Sequence, residues 1–164
     1  MVNQGRMIIY AAIAGLLAML GGITWYASLD NPKLETAEID LGDVAIVNVN
    51  SIDRRASLDV GFKIKNPSDK PFTISNISYE LYGNGKLLGK GQYSNEDVPL
   101  PGRAIFSTNV EIELPSRFQL IPTTENSDVY DAIVNREPVQ YSAKGVVTVE
   151  SAWSLVEKQF DVSQ

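Results

Sequence analysis

The sequence predicts a mainly β protein: a two-sheet antiparallel sandwich with one short helix, carried behind one transmembrane helix. Three observations predict this. Residues 7–29 carry no charge. Most of the chain beyond residue 36 alternates apolar and polar side chains in short runs, the period of half-buried strands. Turn signals rich in Asn, Gly and Pro separate those runs.

A helix over residues 7–29 is about 34 Å long, enough to cross the hydrocarbon core of a bilayer. Inside lipid the backbone has to bond to itself, which a single segment does only as a helix. Arg6 and the amino terminus are the positive charges before the run, and Asp30, Lys33, Glu35 and Glu38 come after it. This bias predicts a single-pass protein of the cell membrane, with residues 1–6 cytoplasmic and the domain extracytoplasmic. Trp25 and Tyr26 stand near the outer end, where amphipathic rings favour the interface. A cleaved signal peptide is the competing reading. Its apolar core usually runs only about 7–15 residues and ends at a small-residue site. The longer run here, and the poor exit site Tyr26-Ala27-Ser28-Leu29-Asp30, favour an uncleaved anchor. Ala14, Ala18 and Gly22 lie four apart, with Ala11 and Gly15 in a neighbouring row. Small residues at that spacing let two helices approach closely, so self-association of the anchor as a homodimer is an expectation to test.

Residues 30–36 read as a linker and 37–164 as one domain of ordinary size. In Leu58-Asp59-Val60-Gly61-Phe62-Lys63-Ile64-Lys65 the alternation is unbroken, which turns Leu58, Val60, Phe62 and Ile64 to the core. Asn66-Pro67-Ser68-Asp69-Lys70-Pro71 is a loop, because proline drives Asn66 out of helical space and removes two backbone donors. The next strand changes phase from Phe72 and Ile74 to Ile77, Tyr79 and Leu81, so a bulge is expected near Ser75 and Asn76. Gly83-Asn84-Gly85 supplies the positive φ angles of a tight hairpin. Pro99-Leu100-Pro101-Gly102 is another break. Phe106, Thr108, Val110, Ile112 and Leu114 form a further core face, with Ser107, Asn109, Glu111 and Glu113 outward. Residues 127–135 depart from the pattern. Val129, Ala132 and Ile133 have helical spacing, Asn126 or Ser127 can cap, and Pro138 stops the helix. Val139, Tyr141, Ala143, Gly145, Val147 and Val149 form the last face read from alternation.

At the loop and hairpin the chain becomes recognisable. Asn66-Pro67, then Pro71, then Tyr79, Leu81, Tyr82, Gly85, Leu88, Gly89 and Gly91 in a Tyr-x-Leu-Tyr-x-x-Gly-x-x-Leu-Gly-x-Gly pattern, resemble the late embryogenesis abundant (LEA) type 2 family. Its core is also called the water stress and hypersensitive response (WHy) domain. The resemblance covers most of residues 37–163 and implies a sandwich like fibronectin type III or immunoglobulin domains. It also implies a role in desiccation or general stress protection. The family has no established catalytic residues, so none is carried over. The motif residues have structural work to do: Asn66 can cap a turn, Pro67 and Pro71 stiffen it, and the glycines permit the hairpin.

Composition excludes most chemistry. The chain has no cysteine and no histidine, which removes disulfides, thiolate metal sites, the commonest zinc ligand and the commonest general base. No S-x-x-K or G-x-S-x-G pattern occurs. Asn95-Glu96-Asp97 lacks the ligand spacing of a calcium loop and reads as a solvated charge run. Glu111 and Glu113 read as a soluble strand face rather than an acid/base pair. Gly83, Gly85, Gly89 and Gly91 belong to a hairpin, not to a phosphate-binding turn into a helix. Beyond Arg6 there are thirteen basic against twenty acidic residues, a net of −7 that repels nucleic acid. Asn76-Ile77-Ser78 is a glycosylation sequon of a length that arises by chance. No catalytic, cofactor-binding or metal residue is assigned. The function expected is a membrane-anchored, non-enzymatic protective domain. The alternative is an extracytoplasmic binding or adhesion module, or an accessory subunit of a membrane complex. The expected partners are the bilayer, through residues 7–29, and protein or membrane-surface clients.

Overall fold

Strand β2, Arg55–Lys65, is the centre of the smaller sheet. Its alternating residues Leu58, Val60, Phe62 and Ile64 are all fully buried, as the sequence predicts. In the computed structural model, which describes residues 4–98 and 103–164, β2 is flanked by two antiparallel edge strands. These are β1, Glu38–Asn50, and β5, Glu111–Leu120. The facing sheet has the order β4-β3-β6-β7, all antiparallel. Its strands are β3, Thr73–Gly83; β4, Lys86–Ser94; β6, Tyr141–Glu150; and β7, Leu155–Ser163. The protein is therefore a two-sheet antiparallel sandwich, preceded by α1, Gln4–Ser28, a helix long and apolar enough to cross a membrane.

The core lies between the two inner faces. Phe62 meets Tyr79 edge-on at 4.8 Å between ring centres and Phe160 at 5.8 Å. Such pairs add to the area they bury. The phase change in β3 is a register shift between Ile74 and Asn76 in its pairing with β6, so Ile74, Ile77, Tyr79 and Leu81 all point inward. The β3–β4 hairpin closes through Asn84 (φ 49°) and Gly85 (φ 79°), the paired positive angles of a two-residue turn that matches strand twist. Asn76 of the sequon sits within β3, its amide held by Ser78 and Gln92.

Three local expectations are corrected. The strand predicted from Phe106 begins only at Glu111. Asn109 has a φ of 59°, which turns the chain at residues 107–110 and leaves Thr108 and Val110 exposed rather than in the core. Phe106 is buried instead through a single bridge to Phe72, and their rings stack at 5.4 Å. The strand then continues past Pro115 to Leu120, burying Leu114, Phe118 and Leu120. Proline is tolerated there because β5 is an edge. Val139 precedes β6 and is only partly buried. Helix α3, Ser127–Val134, buries Val129, Tyr130 and Ile133. Asn126 precedes it, but its side chain binds Thr123 and Leu87 and makes no cap. The helix ends before Pro138, where Arg136 takes a φ of 60°. The break at residues 99–102 lies outside the described residues.

Candidate functional site

The strand directions gather two kinds of loop at two poles. The Asn66–Pro71 loop, the β6–β7 turn and the start of β1 share the pole from which α1 leaves. The β3–β4 hairpin tip and α3 lie at the other. The structure thus divides the recognised motif. Asn66, Pro67 and Pro71 are at the pole nearest α1, Tyr79 and Leu81 in the core, Tyr82 on the outer face, and Gly85 at the far hairpin.

Asn66 organises its loop. It is fully buried, and its side chain makes four hydrogen bonds. The amide donates to the carbonyls of Lys70 and Phe106, both at 2.8 Å. The amide oxygen accepts from the Ser68 N–H at 2.9 Å and the Ser68 hydroxyl at 2.7 Å. The backbone of Asn66 adds bonds to Val110 and Asn109. One side chain therefore ties the end of β2 to the loop after it and to the segment before β5. Pro67 and Pro71 flank this knot on its exposed side.

The rest of the motif shapes the sandwich. Gly91 pairs with Tyr79, and a Cβ there would fall 2.3 Å from Cζ of the tyrosine ring. Only glycine leaves room for that ring. The ring ends in a polar bridge between the sheets: the Tyr79 hydroxyl donates to Ser116 Oγ at 2.9 Å, and Ser116 donates to the Gln92 carbonyl at 3.1 Å. Burial raises the Tyr79 phenol above its usual range, and the Ser116 bond only partly opposes this. Leu88 is the extra residue of a bulge opposite Leu81 and Tyr82, which turns it into the core. On the outer face the Tyr82 hydroxyl donates to Glu80 at 2.8 Å. That bond, with Lys90 beside it, holds the Glu80 carboxyl below its usual range. Glu111 and Glu113 are both outward, and Glu113 accepts from the Asp43 N–H at 3.3 Å. That bond supports a bulge in β1. Residues Asn95–Asp97 form one 3₁₀ turn.

The loop of Asn66 also receives the chain leaving α1. Residues 30–36, expected as a linker, contain one turn of helix, α2, Asn31–Leu34. Pro32 prevents a straight continuation of α1, since it has no N–H to give the preceding turn. Leu34 and Ala37 are fully buried in the sandwich core. Lys33 pairs with Asp69 at 2.7 Å, and Lys70 with Asp30 at 3.4 Å. Lys158 donates to the carbonyls of Glu35 and Ala37, and the Ser154 hydroxyl bonds Asn31 Oδ1. The bond from Lys33 holds the Asp69 carboxyl below its usual range. Exposed pairs of this kind are each worth about 0–1 kcal/mol, whereas burying a leucine is worth about 1.5–3 kcal/mol. Leu34 therefore holds the joint, and the charges set its direction. None of the residues of this joint was predicted from the sequence. Their partners lie 36 to 123 residues away, beyond any local pattern.

No protein-family model matches the chain, and no curated protein sequence matches it. Solved structures do resemble it. A protein from Archaeoglobus fulgidus is 16% identical over 79% of this chain and 93% of its own, with a TM-score of 0.41. The solution structure of AT1g01470 from Arabidopsis thaliana is 16% identical over 77% and 81%, with a TM-score of 0.47. At2g46140.1, described as a late embryogenesis abundant protein, is 14% identical over 96% and 88%, with a TM-score of 0.40. Likeness at this level carries nothing about activity.

Proposed function

We propose that the chain is a single-pass membrane protein that holds a non-enzymatic LEA type 2/WHy-like sandwich on the outer side of the cell membrane, for desiccation or general stress protection at the envelope surface. The family reading comes from the Asn-Pro loop and the Tyr-to-Gly91 hairpin pattern. The observation that carries the non-enzymatic part is the use of those residues. Asn66 is saturated by its loop, Tyr79 by Ser116, and Gly91 by the Tyr79 ring. The pattern builds a support and leaves no free group for chemistry. The protective mechanism is physical. The outer face of the larger sheet carries the ion pairs Lys90–Glu80 and Lys144–Asp161, and the domain is acidic overall. Such a surface stays hydrated and repels its like, so copies held at the membrane keep clients and neighbouring bilayers apart as water is lost.

The test is drying and rehydration of an aggregation-prone enzyme with vesicles that carry the full chain or none. Retained enzyme activity and reduced vesicle fusion support the proposal. Equal loss in both samples refutes it. Crosslinking in the native membrane that captures one partner at fixed stoichiometry, unchanged by osmotic stress, would favour a binding module instead.

A further inference from the structure

The β6–β7 turn carries a large apolar side chain that the sandwich does not use. Trp153 is 72% exposed, and Leu155 beside it 57%. The turn is not loose. Ser151 N–H donates to the Ser154 carbonyl at 2.8 Å, and Ser154 is bonded to Asn31 at the exit of α1. Trp153 is thereby held facing α1 across an open cleft whose other wall is Met19, Gly22, Ile23, Tyr26 and Ala27. α1 itself is exposed over residues 5–26.

We propose that this pole seats in the lipid interface of the membrane that α1 crosses, with Trp153 inserted at the boundary between headgroups and acyl chains. The proposal rests on α1 being a membrane span. Ile23 lies six residues before the end of the uncharged run, about 9 Å along a helix axis. Amphipathic side chains at the interface are buried about 5–10 Å, so the wall facing Trp153 is at the matching depth. Two apolar walls at that depth are filled by acyl chains rather than water. An indole suits the place, since its ring is apolar and its N–H finds headgroup acceptors. The lysines and aspartates at this pole pair with one another, Lys33 with Asp69 and Lys70 with Asp30. The contact therefore fits a zwitterionic surface and needs no anionic lipid.

The chain has two tryptophans, so each can be read alone. Full-length Trp25→Phe leaves Trp153, and Trp153→Phe leaves Trp25. Both are placed in phosphatidylcholine vesicles with and without lipid brominated near the headgroup. Trp25 emission reports the anchor. The expected result is quenching of both, with Trp153 emission falling at least about twofold and shielded from iodide, as for a ring at interfacial depth. If Trp25 is quenched while Trp153 is not and iodide reaches it, the inference is overturned and the anchor stands. If Trp153 is shielded from iodide yet unquenched by lipid, a protein covers it, which also overturns the lipid assignment. If neither is quenched, the anchor reading fails and the inference falls with it.

Discussion

Replacing Asn66 by alanine tests whether one amide organises the pole nearest α1. The side chain is fully buried and makes four bonds, so the loss can be counted. The Phe106 carbonyl keeps the Phe72 N–H at 3.2 Å, and the Lys70 carbonyl is within 3.2 Å of the Ser68 hydroxyl, which can swing to it. Each of those two lost bonds costs about 0.5–1.5 kcal/mol net. The buried Ser68 N–H has no substitute partner and is stranded, at about 1–3 kcal/mol. The total expected is about 2–6 kcal/mol. Asn66→Asp is the sharper control. It keeps both acceptor bonds from Ser68 but turns a carboxylate oxygen toward two carbonyls, so at pH 7 it should destabilise at least as much as alanine. The assay is urea unfolding of the full chain in mild detergent, followed by the far-ultraviolet β signal. A loss under ~1 kcal/mol for alanine, or an aspartate variant as stable as wild type, would refute the counting and the organising role.

Phe62→Ala removes a fully buried ring at the centre of the aromatic cluster and should cost about 3–5 kcal/mol in the same assay; a loss under ~1 kcal/mol would mean β2 faces the other way. Because Lys33 depresses the Asp69 carboxyl in the folded protein, this pair stabilises the joint fully above the ordinary value of 3.8 and loses that contribution as pH falls from there toward the lower folded value. The protection factor of the Leu34 amide, which is the intrinsic exchange rate divided by the observed rate at the same pH, should therefore fall on acidification, and Asp69→Asn should flatten the change; an unchanged profile in the variant assigns the acid response elsewhere. Protease added to intact cells should digest residues 37–164 and spare the N-terminus, and protection of the domain until lysis would reverse the orientation. An in-membrane association assay should show a weaker signal for Ala18→Ile and Gly22→Ile than for wild type, while equal signals would make the small-residue stripe mere composition.

The parts of the fold that were legible are those where local period and tertiary facing agree. β2 is the clearest, because it is central and loses no residue to a bulge in its pairing with β5. The Asn84-Gly85 turn and the slip at Ser75 were readable because backbone geometry there is set by neighbouring residues. β1 was not read. Register shifts between Leu41 and Val44 and between Ile46 and Asn48 scramble its alternation, although its pairing with β2 is long. β5 was misplaced for two reasons. A positive φ at Asn109 breaks an alternating run, and Pro115 signals an end that an edge strand does not have to obey. At the site, the bond from Asn66 to Ser68 two residues on follows from local turn chemistry, whereas its reach to Phe106 does not. The Lys33–Asp69 and Asn31–Ser154 contacts are single residues brought together by the whole topology, and Trp153 is one aromatic side chain in a turn.

The buried Leu34 has a mechanical consequence. It fixes the exit of α1 to the start of β1, at the end of the sandwich nearest α1, while β7 finishes toward the opposite end. A tension entering through α1 and leaving through anything held at the far end runs along β1 rather than across it. The β1–β2 ladder, whose hydrogen bonds lie perpendicular to the strands, is then loaded in shear, with its rungs sharing the force instead of parting one by one. A domain tethered in this way resists being peeled open from its edge.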